Sequence, residues 1–200
     1  NIICNMINQI LFICIAYLIG SLSFGIIISK FLNLTDPRTI GSKNPGATNI
    51  LRMGNKLAAI LTLLGDILKA TIVVTIAILI DLNDLEIVQI SLVLLIGHMY
   101  PIYYKFKGGK GVATAFGIIL AINWVLALSV ICIWLIIFSI WKFSSLAAIV
   151  ASLSAPIISY FLHDSLFISI MYLLISALII FRHHSNIKNL IAGVEPSFKK

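Results

Sequence analysis

The sequence predicts an all-α, polytopic membrane protein with seven transmembrane helices, its N-terminus outside and its C-terminus cytoplasmic. Three observations carry this. Hydrophobic residues make up 60% of the chain and charged residues 10%, where soluble domains hold roughly 25% charged residues. The mean hydropathy is +1.11, and 200 residues of this kind cannot hide their apolar surface inside one globule. The charges are also segregated: 13 of the 14 Lys and Arg lie in four polar breaks, while the other breaks carry Asp81, Asp84, Glu86 and Asp164 without any Lys or Arg. Basic residues near span ends stay on the cytoplasmic side, so this segregation is a topology signal.

A span needs about 20 apolar residues to cross about 30 Å of hydrocarbon. Residues 8–29 satisfy this and stop at Lys30. Residues 9–20 resemble a secretion signal, but no basic segment precedes them and the run continues to Ile28, so a retained first span is expected. Residues 31–56 form a polar loop rich in Gly and Pro, with Arg38, Lys43, Arg52 and Lys56. Residues 57–80 are a second span, ending at the acidic break 81–86, and residues 87 to about 104 a third, followed by the basic loop 105–111. The apolar run 112–141 is too long for one ordinary span and divides at Asn123-Trp124 into two, the first short or partly re-entrant. Lys142 marks the next inside break, 143–162 a sixth span, His163-Asp164 an outside turn and 165–181 a seventh span. A polar tail runs from Arg182-His183-His184 to Lys199-Lys200. With seven spans every basic break falls on one side and the four acidic break residues on the other. Six would move Lys142 and the tail across. No repeat or linker divides the chain, so residues 1–200 are expected to form a single helical membrane domain.

The net charge of +7 is spread over separate loops, which argues for topology plus an anion site rather than nucleic acid. Cys4, Cys14 and Cys132 lie in or beside apolar runs, with neither a metal spacing nor a disulfide pattern, and read as small packing residues.

Four segments do not behave as filler. The loop from Asp36 to Arg52 is dense in hydroxyl, amide and glycine residues, among them Ser42, Asn44, Gly46, Thr48 and Asn49, with Arg38, Lys43 and Arg52 interspersed. Such a stretch can aim backbone N–H groups and hydroxyls at an anion while a guanidinium adds a bidentate phosphate contact. Residues 49–52 look like the start of a helix, whose dipole would favour the same charge. The second segment is Gly97-His98, then Lys105, Lys107, Gly108, Gly109, Lys110 and Gly111. Glycines around lysines let a backbone approach phosphate closely, although the pattern is not a Walker A motif. A flexible basic turn and an interfacial histidine are the plain alternatives. The third is the tail, with His183, Asn186 and Glu195; adjacent histidines point about 100° apart on a helix, which disfavours a metal, and a solvated basic tail is the plain reading. The fourth is Asp66 with Lys69 inside the second span, read as a self-neutralising pair near its cytoplasmic third.

Together these segments resemble one family, the bacterial acyl-phosphate-dependent glycerol-3-phosphate acyltransferases of the inner membrane. The resemblance rests on residues 20–25, on residues 41–49 with Arg52, on Gly97-His98 with residues 105–114, and on Arg182-His183, Asn186-Ile187 and Gly193-Val194-Glu195, in the family's order and spacing over nearly the whole chain. Ser23 stands where the family commonly has Pro, and Asn189 where a basic residue is usual.

The resemblance implies transfer of a fatty acyl group from acyl phosphate to the 1-hydroxyl of glycerol 3-phosphate, giving lysophosphatidate and inorganic phosphate. It also implies a cytoplasm-facing site in the bacterial inner membrane, no cofactor or metal, and partners limited to the two substrates, membrane lipid and an acyl-phosphate-producing enzyme, with no nucleic acid. Ser42, Arg52, Lys110, His183, Asn186 and Glu195 are the expected catalytic residues, and Asn44, Gly46, Thr48, Asn49, His98, Lys107, Gly108, Gly109 and Gly111 the expected substrate-binding ones. Because the donor is already activated, positioning and electrostatic relief suffice, and the substrate hydroxyl can attack directly. Ser42 as an acylated nucleophile is the rival mechanism. A transporter for a phosphorylated solute is the competing class, although no inverted repeat supports it.

Overall fold

The computed structural model describes residues 2–162 and 164–198; Asn1, His163, Lys199, Lys200 and the side chains of residues 2–6, Cys4 among them, lie outside the described residues. Every regular element among them is helical. Their contacts cluster into two units, Asn1–Ile122 and Asn123–Lys200.

In the first unit, α1 (Ile2–Gly20) and α2 (Phe24–Phe31) replace the single first span expected from residues 8–29. They are bent by 46° at Ser21-Leu22-Ser23. The break leaves carbonyls without helical partners, and in lipid these must be satisfied internally. The Lys69 ammonium does so, donating to Gly20 O at 3.1 Å and Leu22 O at 2.6 Å. The loop after α2 leads to α3 (Ala47–Arg52), a six-residue helix closed by Gly54 in the left-handed region. Residues 49–52, read as the start of a helix, are the last four of its six residues, and so short a helix does not give the expected dipole effect. Ile50 anchors α3 by packing with Ala58 and Ala59 against Ile28, Leu32 and Leu34.

The second span is α4 (Lys56–Leu79), begun by Asn55, whose side chain accepts from Ala58 N. α5 (Asp84–Met99) starts on a capping box: Asn83 accepts from Glu86 N at 3.1 Å and Glu86 accepts from Asn83 N at 3.0 Å. Glu86, one of the residues that mark topology, thus also takes part in a helix cap, in which Asn83 contributes about 0.5–2 kcal/mol. A 3₁₀ turn (Ile102–Tyr104) and the basic loop lead to α6 (Val112–Ile122). Packing is close where glycines fall. A Cβ on Gly20 would collide with the Leu94 carbonyl, and one on Gly117 with the Ile67 carbonyl, so α1–α5 and α4–α6 meet backbone to backbone.

In the second unit, Asn123 divides the long apolar run as expected. It caps α7 (Trp124–Trp141) by accepting from Val125 N and Leu126 N, and donates to Asp164 Oδ1 at 3.0 Å. α7 packs on α8 (Ser144–Phe161), which presents Ala147, Ala148, Ala151, Ser152 and Ala155 as a buried face and packs in turn on α9 (Leu166–Arg182). The Ser176 hydroxyl of α9 donates to the Ser152 carbonyl across that contact. The polar tail folds in part as α10 (His184–Ile191), bent by 60° from α9.

Four helices among the described residues are long and apolar enough to cross a membrane, and six spans result if each bent pair counts as one. The difference from the seven expected is α6, whose 11 residues reach only about 16 Å. Cys14 and Cys132 lie on outward faces and do not pack between helices, as had been expected of them.

Candidate active site

Within the first unit, three of the singled-out segments are folded onto one another. The Ser21 hydroxyl accepts from Ile102 N, and the Tyr17 hydroxyl donates to Tyr100 O at 2.8 Å, so the α1–α2 break is tied to the turn after α5. Gly25 lies against the Pro45 carbonyl so closely that a Cβ there would collide. Arg38 stands over the Tyr104 ring, 5.8 Å from its centroid, joining the 36–52 loop to the turn before the basic loop. Arg38 also forms a fork on Asp36, with Nη2 at 2.6 Å from Oδ2. The Arg38 hydrogen bond outweighs the opposing effect of partial burial and holds the Asp36 carboxyl below its ordinary value.

The 36–52 loop is built around Asn49, which is 1% exposed. Its amide donates to Pro37 O at 2.8 Å and Ile40 O at 3.0 Å, while its Oδ1 accepts from Ser42 N at 3.0 Å. Asn49, expected to bind substrate, clasps the loop. The clasp sets the direction of Ser42, whose side chain stays exposed, and Gly41 takes φ +61 beside it. Asn44, Gly46, Thr48 and Arg52 are half-buried along the same segment.

His98 is 4% exposed in the last turn of α5. Its Nδ1 lies 2.9 Å from Lys69 Nζ and 3.5 Å from Asp66 Oδ1, while Lys69 and Asp66 form an ion pair at 2.8 Å. Asp66 and Lys69 straddle the middle of the 24-residue α4, deeper than the cytoplasmic third expected, and they are not self-sufficient. The glycines of the basic loop pack on this histidine. Gly109 N donates to His98 O at 3.2 Å, and a Cβ on Gly109 would collide with the His98 ring. A Cβ on Gly108 would collide with the His98 carbonyl. The space that a side chain would take at Gly108 and Gly109 is thus filled by His98. Gly111, at φ +88, turns the chain into α6 beside Met99 and Leu95. Lys107 is exposed and Lys110 half-buried on the loop so shaped.

In the second unit, His183 sits at the bend between α9 and α10 and is 3% exposed. Its Nδ1 lies 2.8 Å from Ile179 O, and since a carbonyl only accepts, Nδ1 carries the proton and Nε2 is the basic nitrogen of the neutral ring. His184 beside it is exposed. One turn on, Asn186 donates to Glu195 Oε1 at 2.7 Å, and Ser145 donates to the same oxygen at 2.6 Å. The first turn of α8 has no side-chain cap from Phe143, so Glu195 places its charge where that helix favours one. Phe198 N then donates to Lys142 O at 3.0 Å, pinning the tail. Ser145 was missed from sequence; a serine beside a basic break offers no signal by itself. Among the described residues no group of three or more His, Cys, Asp or Glu could hold a metal ion.

Comparison with known proteins sets this geometry in a family. The family model for glycerol-3-phosphate acyltransferase matches residues 10–193. The chain belongs to the glycerol-3-phosphate acyltransferase family. Among its relatives, the glycerol-3-phosphate acyltransferase of Methylobacillus flagellatus is 46% identical over 96% of this chain and 98% of its own. That of Burkholderia multivorans is 50% identical over 90% and 86%. The crystal structure of PlsY (YgiH), an integral membrane glycerol 3-phosphate acyltransferase, superposes with a TM-score of 0.92 in its glycerol 3-phosphate form, at 38% identity and 96% coverage of both chains. Its lysophosphatidic acid form gives 0.90. The chain is therefore an acyltransferase and an integral membrane protein, and the transport reading is set aside.

Proposed function

We propose that this acyltransferase takes its acyl group from acyl phosphate and delivers it to the 1-hydroxyl of sn-glycerol 3-phosphate, releasing lysophosphatidate and inorganic phosphate. The reading extends to the setting: a seven-pass protein of the bacterial inner membrane, its active face toward the cytoplasm, fed by an acyl-phosphate-producing enzyme. The observation that carries it is the contact of the basic, glycine-containing loop 36–52, through Arg38, with Tyr104 in the turn that leads into the second such loop, 105–111. Both substrates bear a phosphate, and two such loops suit two anions. The forms in which PlsY is described, with glycerol 3-phosphate and with lysophosphatidic acid, agree with this substrate and product. A seventh pass through α6 is supported by where that helix begins. The loop before it reaches His98, level with Lys69 and about 20 Å along α4 from Lys56, so a short helix has less to cross.

In this mechanism the 1-hydroxyl oxygen attacks the acyl carbon, the carbon–oxygen bond to phosphate breaks, and phosphate leaves with the bonding pair. Ser42, Thr48 and neighbouring N–H groups hold phosphate, with Asn44, Gly46 and Asn49 shaping their loop. Arg52 and Lys110 offset the charge that grows on the leaving group, and Lys107 draws the anion in. Nε2 of His183 accepts the hydroxyl proton, Asn186 is held in place through Glu195, and Glu195 orients the tail. Direct attack leaves no acyl-enzyme.

The test uses acyl phosphate labelled on phosphorus, with purified protein in lipid. One labelled inorganic phosphate per unlabelled lysophosphatidate is the expected result. Label in the lipid would mean phosphoryl transfer, and an ester trapped on Ser42 would replace direct attack by the two-step route.

A further inference from the structure

We infer that Asp66 and Lys69, at the middle of α4, are positioning residues for the basic loop, acting through His98. The inference rests on the proposal that residues 105–111 serve the transfer reaction. Lys69 is 5% exposed and Asp66 2%, and both lie near the middle of the 24-residue α4. Burying two charges at such depth is costly, and a local ion pair would need nothing beyond itself. This pair has more. Lys69 Nζ has three protons and lies within reach of four acceptors: Gly20 O, Leu22 O, Asp66 Oδ1 and His98 Nδ1. It therefore joins three elements, the α1–α2 break, α4 and the end of α5.

The contact with His98 fixes the ring. His98 Nδ1 lies 2.9 Å from the Lys69 ammonium and 3.5 Å from the Asp66 carboxylate, so one edge of the ring is held against both charges, accepting from Lys69 in one tautomer and donating to Asp66 in the other. The same ring is the surface on which Gly109 is seated, and the same residue's carbonyl receives Gly109 N–H. A rotation of the imidazole would strike the Gly109 backbone, which has no side chain to yield. Lys110 is the next residue, and Gly111 then enters α6 against Met99 and Leu95. The loop's position is thus set from below by a charge network inside the span. A merely structural ion pair would steady α4 and leave the loop indifferent to its removal.

Removing Lys69 alone strands the Asp66 carboxylate and can prevent folding, so the decisive variant removes both charges, Asp66→Asn with Lys69→Met. The protein is purified in lipid and followed by thermal unfolding, by amide hydrogen exchange and by steady-state transfer with glycerol 3-phosphate varied. Exchange in peptides covering residues 105–111 is expected to rise at least about tenfold while those of α7 to α9 keep the wild-type rate. kcat/KM is expected to fall roughly 10²-fold, the scale of a displacement of about 1 Å. His98→Asn, which keeps both charges but removes the ring, is expected to reproduce the loop exchange. Wild-type exchange in 105–111 in either folded variant would overturn the inference, as would a rise spread evenly over the chain. The exchange measurement needs no acyl donor, so it decides this point even if the donor proves not to be acyl phosphate.

Discussion

At the scale of single residues, the structure separates groups that shape the loops from groups available to substrate. Asn49 shapes. Its removal in Asn49→Ala strands two carbonyls and one N–H and is expected to cost about 1–3 kcal/mol, read as a lowered thermal midpoint, with catalysis impaired because Ser42 loses its fixed direction. Arg52 is assigned to the reaction itself. Arg52→Ala should lower turnover roughly 10²–10³-fold with the protein still inserted and folded; activity within a few-fold of wild type would remove it from the mechanism. Asp36 gives a pH signature of known sign. Its carboxyl is held below the ordinary 3.8, so the folded state binds fewer protons, and the pair's contribution is full above that value and lost as the pH falls through the lowered one. Both side chains are about a third exposed, at 29% and 35%, so the contribution is only about 0–1 kcal/mol. Asp36→Asn should therefore lower the midpoint slightly at neutral pH, and the difference from wild type should vanish well below pH 3.8. A constant difference at all pH values would mean that the pair is not its source.

At the scale of elements, the long apolar runs made α4, α5, α7, α8 and α9 legible, because each is bounded by charge or by a polar cap such as Asn55, Asn83 or Asn123. The break between α1 and α2 was not legible. Apolar residues continue through it, and the Lys69 ammonium that satisfies its carbonyls lies 47 residues away in the chain from Leu22. α3 and α10 were read as a helix start and a solvated tail for a related reason: their stability comes from Ile50 packing on α4 and from Asn186 held by Glu195, contacts no local pattern reveals. For the site, the residue types were legible but their partners were not. Gly109 shows the difference, since the pattern gives a glycine near lysines but not that the place of its missing side chain is filled by His98. Gly109→Ala should therefore displace the loop, with a roughly 10²-fold loss of kcat/KM and little change in the thermal midpoint. Near-normal activity would show that the loop has room to yield.

At the scale of the whole molecule, the charge segregation makes a topological prediction. In a protein whose native cysteines are replaced by serine, Leu85→Cys should react with an impermeant thiol reagent in intact cells, while Lys56→Cys and Lys188→Cys should react only after permeabilisation. Lys56 and Lys188 on opposite sides would end the seven-pass reading, because those two positions share a side only if α6 crosses. On the proposed topology the basic loops lie where a cytosolic polyol phosphate meets a lipid-soluble donor, and the choice of donor is the central claim. The measurement that tests it is a donor exchange on purified, folded protein in lipid, with labelled glycerol 3-phosphate and palmitoyl phosphate, palmitoyl-CoA or no donor. Lysophosphatidate formed with palmitoyl phosphate alone is the result expected here. Product formed equally well with palmitoyl-CoA, or formed only with it, would contradict the acyl phosphate mechanism.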